Sequence, residues 1–243
     1  MGYDIEELIE KAGGEVGYLE KATNAYLEDK TKNAGKNNFT KYGLAQGCNS
    51  QAWCDAFVDW CFIKTYGRVA AEKLLCGFSN YTPTSAQYFK TKGLFCTLKP
   101  QKGDIIFFKN SLRICHTGIV YRVDSTRVYT IEGNTSAGTQ VVPNGGAVCQ
   151  KSYLLTNPRI AGYGRPNYRE ELYPTIRKGC IGPIVKTLQA YLKKQGFNPE
   201  IVIDGDFGEI TKIAVLQAQA YYGLTKDGIV GPLTWAQLRQ HTI

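Results

Sequence analysis

The chain has 243 residues, which is enough for one large domain or for two domains of modest size. Its hydrophobic (43%), charged (21%) and aromatic (12%) fractions are those of a folded protein and exclude a disordered or fibrous chain. The net charge of +8 is spread thinly and forms no block of lysines and arginines. This charge suits a nucleic acid or another polyanionic surface, so it does not by itself identify a partner.

The eight cysteines are scattered through the sequence, without a Cys-x-x-Cys pair. This spacing does not indicate a disulfide framework, and a chain of this size does not need one. The sequence does not favour a zinc site either, because His116 and His241 are the only histidines. We therefore expect most of the cysteines to be reduced, buried and inert.

The first residues, Met1 to Glu7, are acidic and lack the apolar core of a signal peptide. No apolar run is long enough to cross a bilayer, so we expect neither a signal peptide nor membrane insertion.

The first part of the chain has a helical pattern. Asp4 and Glu7 resemble a capping box at the start of one helix. After a polar loop at 33–38, a second helix is predicted to begin near Ser50, with aromatic residues on one apolar face.

Strands follow the helices. They are predicted in four segments: residues 103–108, 117–121, 127–132 and 160–164. Helices followed by closely connected strands indicate an α+β domain with an antiparallel sheet.

The last part of the chain contains an internal repeat. The segment that begins Asp204-Gly205 is echoed by the one that begins Asp227-Gly228, and a weaker copy begins at Gly179. Each copy reads as a glycine turn followed by a helix start, at which Asp or Thr can act as a cap. We expect a linker at 165–171, a catalytic-type domain at 1–169 and a compact three-helix domain at 170–243.

Cys54 is the candidate nucleophile among the eight cysteines. It lies just inside the predicted second helix if Asn49 or Ser50 is the cap, and the positive end of a helix favours a thiolate. Nucleophilic catalysis by cysteine also requires a base and a group that orients the base.

His116 is the candidate base. If the strands at 117–121 and 127–132 form a hairpin, paired residue numbers sum to about 249, and His116 lies across from Glu132 and Asn134. Glu132 and Asn134 are two residues apart, so both would project from the same face of the sheet.

Four segments resemble the cysteine- and histidine-dependent amidohydrolase/peptidase (CHAP) family over residues 1–168. They are Trp53 to Trp60, Gly103 to Phe108, His116 to Val120, and Ile131 to Thr135, in the family's order.

The CHAP resemblance implies a papain-like (NlpC/P60-type) fold and acyl transfer. Cys54 would be the nucleophile, His116 the base and later the acid, and Glu132 the orienting group, with Asn134 supporting the same network. Gln51 is a candidate for help at the oxyanion.

Trp53 and Tyr42 are the other candidates for substrate contact, with Gln51. Some CHAP relatives carry calcium in an aspartate-rich loop, but the matching stretch at 37–43 has no carboxylate. No cofactor is therefore expected, and calcium is not supported.

Residues 176–240 resemble the peptidoglycan-binding type 1 domain, on the Asp204-Gly205 and Asp227-Gly228 repeats and the Thr234-Trp235 pair. The resemblance implies a domain that holds the chain on the bacterial wall.

Together the resemblances imply a peptidoglycan hydrolase, with N-acetylmuramoyl-L-alanine amidase favoured slightly over a stem or cross-bridge endopeptidase. A non-catalytic wall-binding protein is the alternative of another class. Peptidoglycan is the expected partner, with no nucleic acid, and a monomer is expected. An enzyme without a signal peptide would be made in the cytoplasm and released at lysis, as phage and prophage endolysins are.

Overall fold

The computed structural model describes residues 3–138, 140–168 and 173–240. These residues form two compact units, one within 3–168 and one within 173–240. The predicted boundary between residues 169 and 170 lies outside the described residues. In the described parts of the chain, no helix is long and apolar enough to cross a membrane.

The first unit contains five helices and six strands among its described residues. Its helices are α1 (Ile5–Gly13), α2 (Lys41–Ala45), α3 (Cys54–Tyr66), α4 (Arg68–Leu74) and α5 (Thr82–Thr91). Its strands are β1 (Phe95–Cys96), β2 (Ile105–Lys109), β3 (Ile114–Val123), β4 (Arg127–Thr135), β5 (Ala147–Leu154) and β6 (Ile160–Gly164).

The six strands form one sheet in the order β1-β6-β2-β3-β4-β5, and every described pairing is antiparallel. The sequence predicted β2, β3, β4 and β6 but not β1 or β5. The predicted α+β class with an antiparallel sheet is confirmed.

Helix α3 packs on the sheet through its aromatic side chains. A Cβ atom on Gly133 of β4 would lie 2.6 Å from the Phe57 Cβ and 2.8 Å from the Trp53 ring, so the helix sits directly on the strand at this glycine. The opposite face of the sheet carries a second apolar cluster, which includes Phe108, Val120 and Tyr153. The sheet is therefore covered on both faces around β3 and β4.

The second unit contains three helices among its described residues: α6 (Pro183–Lys194), α7 (Glu209–Tyr221) and α8 (Pro232–Gln240). Their apolar faces meet in one core that includes Leu188, Phe207, Val215 and Trp235. The three-helix prediction for this part of the chain is confirmed.

A buried glutamine closes the first repeat turn. The Gln189 side-chain N–H groups donate to Asp204 Oδ1 (2.7 Å) and Thr211 Oγ1 (3.1 Å), and its Oε1 accepts from the Gly205 N–H (2.8 Å). Asp204 was predicted as a possible helix cap, but the residue before α7 is Gly208, which makes no side-chain cap bond. The aspartate organises the turn instead, because its Oδ1 accepts from both the Gln189 side chain and the Asp206 N–H (2.8 Å).

Gln219 closes the second repeat turn in the same way. Its side-chain N–H groups donate to Asp227 Oδ1 (2.7 Å) and Thr234 Oγ1 (3.4 Å), and its Oε1 accepts from the Gly228 N–H (2.9 Å). The repeat in the sequence is thus a repeat of one hydrogen-bonded turn, each with its own glutamine.

Candidate active site

Cys54 is the first residue of α3 and is 4% exposed. The predicted caps do not cap this helix: Ser50 has a left-handed backbone (φ 63°), and the Asn49 side chain accepts from the Thr40 N–H (2.9 Å). The residue before the helix is Trp53, which makes no side-chain cap bond. The first N–H groups of α3 are therefore not capped by Asn49, Ser50 or Trp53, and those of Cys54 and Asp55 lie against the Cys54 sulfur.

Burial raises the pKa of the Cys54 thiol to about 12, and the negative charge of Asp55 adds to the rise. The backbone N–H groups of Asp55 and Thr117 act in the opposite direction. The prediction that the helix start favours a thiolate is thus outweighed by desolvation. The raised pKa favours the neutral thiol, so use of Cys54 as a nucleophile would require a base.

His116 lies on β3, paired with Phe108 of β2, and is fully buried. Its Nε2 is 3.0 Å from Glu132 Oε2. Where Glu132 is a carboxylate it can only accept, which requires the ring proton on Nε2 and leaves the Nδ1 lone pair free in a neutral imidazole. The Nδ1 atom has no hydrogen-bond partner among the described residues. The next residue, Thr117, presents its N–H to the Cys54 sulfur, so the backbone beside the candidate base contacts the candidate nucleophile.

The predicted β3–β4 register is correct to about one residue. Ile119 pairs with Ile131 and Val120 with Thr130, a sum of 250 where about 249 was expected. The sequence reasoning overlooked Gly118. A Cβ atom there would lie 2.5 Å from the Glu132 Cγ, so glycine makes the room that the orienting carboxylate occupies.

Asn134 lies at the end of β4, but its amide does not support the histidine pair. The residue has a left-handed backbone (φ 55°), and the β4–β5 register shifts between Glu132 and Thr135. Strand alternation is therefore broken after Glu132, which is why Asn134 does not share its network as predicted. The Nδ2 and Oδ1 atoms of Asn134 are buried and have no partner among the described residues.

Two of the three predicted substrate-contact residues are fully buried. The Tyr42 and Trp53 rings stack at 5.4 Å between centroids. The Tyr42 hydroxyl donates to Glu15 Oε2 (2.6 Å), and the Trp53 Nε1 donates to Glu20 Oε2 (3.1 Å). Both side chains are committed to the interior and are not available to a substrate in this structure. Gln51 is exposed, and its predicted role at the oxyanion stays a prediction.

A pair of buried carboxylates follows the nucleophile on α3, and the sequence reasoning missed it. Asp55 and Asp59 are 3% and 4% exposed, one helical turn apart, and Asp55 Oδ2 accepts from the Ser85 hydroxyl (2.6 Å). Burial raises the pKa of Asp55 to about 7 and raises that of Asp59 well above its usual value, with the Asp55 charge adding to the rise in Asp59. Two aspartates four residues apart in an otherwise apolar helix are the signal that could have revealed them.

The described residues contain no group of three or more histidine, cysteine, aspartate or glutamate side chains that could hold a metal ion. The stretch at 37–43 includes the start of α2, where Lys41 pairs with Glu15 (2.8 Å). The expectation that the protein needs no cofactor stays a prediction. All eight cysteines are free, but only Cys48, Cys54 and Cys61 are buried, fewer than expected.

Family comparison assigns both parts of the chain. The CHAP domain family matches residues 46–134, and the family described as "Putative peptidoglycan binding domain" matches residues 181–238. The chain thus carries a CHAP domain followed by a peptidoglycan-binding domain, and both predicted resemblances are confirmed.

Individual relatives match shorter stretches. The chain is 40% identical over 67 residues to a "Zinc D-Ala-D-Ala carboxypeptidase" of Streptomyces albus G, which covers 27% of this chain and 26% of that protein. It is 42% identical over 60 residues to a "Probable N-acetylmuramoyl-L-alanine amidase" of Bacillus licheniformis, covering 24% of this chain and 17% of that protein. Among solved structures, the SleB N-terminal domain is 35% identical, with 29% of this chain and 96% of that chain covered and a TM-score of 0.28. The chain thus matches only 26% and 17% of the length of these two curated relatives.

Proposed function

We propose that the protein hydrolyses an amide bond of bacterial peptidoglycan by cysteine nucleophilic catalysis. One observation carries the proposal. The His116 imidazole is fixed through Nε2 by a buried carboxylate, its Nδ1 is buried and unpartnered among the described residues, and the N–H of the next residue, Thr117, lies against the Cys54 sulfur. A buried polar atom without a partner is unfavourable by about 1–3 kcal/mol, and such atoms are retained where function uses them.

The proposed hydrolysis begins with removal of the proton from the Cys54 thiol. His116 Nδ1 takes the Cys54 proton as the sulfur attacks the amide carbonyl, and Glu132 stabilises the imidazolium that forms. The N–H groups at the start of α3 stabilise the negative charge on the carbonyl oxygen. The imidazolium then protonates the leaving amine, and a water molecule, deprotonated by His116, releases the acyl group from sulfur.

The second unit is proposed to bind peptidoglycan and to raise the concentration of substrate at the first. Its family assignment supports this role. Removal of residues 170–243 should therefore weaken activity on intact walls more than activity on soluble fragments. Equal loss on both substrates would contradict a targeting role.

The bond that is cut is proposed to be the one between N-acetylmuramic acid and L-alanine. The support is the name of the Bacillus licheniformis relative, and its match covers only 17% of that protein, so product analysis has to decide. Cytoplasmic storage with release at lysis, and the monomeric state, stay predictions.

The test is digestion of purified Gram-positive peptidoglycan, with mass spectrometry of the products. Wild type should release fragments, and Cys54→Ala should release none while still sedimenting with the wall. Cys61→Ala, on the same helix, is the control for loss of a buried thiol and should remain active. Free stem peptides identify an amidase, and split stems or bridges identify an endopeptidase. If wild type binds the wall but releases nothing, the protein is a wall-binding protein and the catalytic proposal fails.

A further inference from the structure

The Glu132 carboxylate is held by hydroxyl groups as well as by His116. Oε1 accepts from the Thr130 hydroxyl (2.5 Å), and Oε2 accepts from the Tyr153 hydroxyl (3.1 Å) and faces His116 Nε2 (3.0 Å). All four side chains are 0–1% exposed. No CHAP motif in the sequence includes Thr130 or Tyr153.

We propose that Thr130 and Tyr153 are positioning residues, which hold Glu132 in the orientation that fixes the His116 imidazole. This inference rests on the proposed function, because it concerns the same site.

The two hydroxyls reach Glu132 through the sheet and not through loops. Thr130 precedes Glu132 by two residues on β4 and therefore projects from the same face. Tyr153 lies on β5 and pairs with Val128, two residues before Thr130, so it also lies on that face. Because both donors are set by strand register, the carboxylate cannot rotate away without losing hydrogen bonds that no water can replace at this depth.

Tyr153 also contacts the aromatic ring that stacks on the imidazole. Its ring packs on Phe108 at 4.8 Å between centroids, and Phe108 lies under the His116 ring at 5.9 Å with an interplanar angle of 29°. One side chain thus fixes the carboxylate through its hydroxyl and the face of the imidazole through Phe108. A hydroxyl that merely needed an acceptor would have no reason to be linked to both members of the pair.

The test uses full-length Tyr153→Phe and Thr130→Val, which remove one hydroxyl each and keep the side-chain shape. Tyr129→Phe is the matched control, because the Tyr129 hydroxyl on the same strand donates to Asp124 at 2.7 Å, away from the site. Thr130→Ser restores a hydroxyl and serves as the conservative rescue.

The first readout is nitrogen NMR of protein labelled at histidine, which is tractable because the chain has only two histidines. In wild type, we expect a His116 Nε2–H signal with the downfield proton shift of a charge-assisted hydrogen bond. Tyr153→Phe and Thr130→Val should move that signal or broaden it through exchange, whereas Tyr129→Phe should leave it in place.

The second readout is steady-state hydrolysis of soluble peptidoglycan fragments. In Tyr153→Phe and Thr130→Val, kcat should fall by about tenfold to a hundredfold with KM within about twofold, as expected when a catalytic group is misplaced and binding is intact. Thr130→Ser should recover most of the kcat that Thr130→Val loses.

The inference is overturned if both hydroxyl deletions match Tyr129→Phe in the His116 signal and in kcat. If Tyr153→Phe does not fold, Thr130→Val and its serine rescue decide the matter. If wild type hydrolyses nothing but the NMR signal still responds to the two hydroxyls, the proposed function fails while the positioning inference stands.

Discussion

Replacement of Asp55 by asparagine should stabilise the protein at neutral and alkaline pH. Asp55 is buried beside a second carboxylate, Asp59, and burial raises its pKa from an ordinary value of 3.8 to about 7. Between these values the folded state binds a proton that the unfolded state has lost. Stability therefore falls as pH rises from about 4 to about 7.

The size of the effect follows from the same pKa. The difference between 3.8 and about 7 corresponds to roughly 4 kcal/mol, at about 1.4 kcal/mol per pKa unit. Because Asp55 and Asp59 interact, some of this is shared between them, and we expect Asp55→Asn to raise the free energy of unfolding at pH 8 by roughly 2–4 kcal/mol. Asparagine retains an oxygen that can accept from the Ser85 hydroxyl, so that hydrogen bond need not be lost.

The assay is urea unfolding of full-length wild type and Asp55→Asn between pH 4 and pH 8. Unfolding of the first unit is monitored by hydrogen exchange in peptides from α3. Asp59→Asn should have a similar effect, and the double variant should gain less than the sum, because one substitution already relieves the repulsion. Asp124→Asn is a control of opposite sign, since hydrogen bonds led by the Thr126 N–H lower the pKa of Asp124. The reasoning is refuted if wild-type stability is flat from pH 4 to pH 7 and Asp55→Asn is no more stable at pH 8.

Two further predictions concern packing. Gly118→Ala should reduce kcat by tenfold or more and lower the free energy of unfolding by about 1–3 kcal/mol, because the new Cβ would lie 2.5 Å from the orienting carboxylate side chain. Gly13→Ala, where nothing lies within 4 Å, should do neither in the same kinetic and urea assays. Gln189→Leu and Gln219→Leu should each destabilise the C-terminal unit by about 1–3 kcal/mol in urea unfolding, because each leaves a buried backbone N–H without its acceptor. The exposed Gln217→Leu should have little effect, and a similarly small effect of the two buried glutamines would contradict their assigned role.

The sequence was most informative about the β3–β4 hairpin. Alternating β-branched and aromatic residues around a short polar turn define two strands, and their register alone brings His116 close to Glu132. The end of the hairpin was not predicted. Asn134 breaks the alternation with a left-handed backbone, but asparagine also occurs in ordinary strands, so the residue type alone does not reveal the break.

Contacts between distant parts of the chain were beyond the sequence pattern. From the sequence, Tyr42 and Trp53 suit a substrate platform beside Cys54 as well as they suit a core. Their hydrogen bonds to Glu15 and Glu20 show that they belong to the core. Strand β5 was missed because its Gln, Lys and Ser residues disguise the apolar alternation. The roles of Gln189 and Gln219 were missed for the same reason as those of Tyr42 and Trp53. Their hydrogen-bond partners are not neighbours along the same helix or strand.

The burial of Cys54 has a consequence for the chemical durability of the protein. Peroxide oxidises cysteine through the thiolate, and an exposed thiol of low pKa is the form that is lost first to sulfenic and sulfinic acids. Here the thiol is 4% exposed and its pKa is raised to about 12. The proposed nucleophile is therefore shielded from oxidants until a substrate engages it, and we expect the proposed activity to persist in aerated solution without a reducing agent.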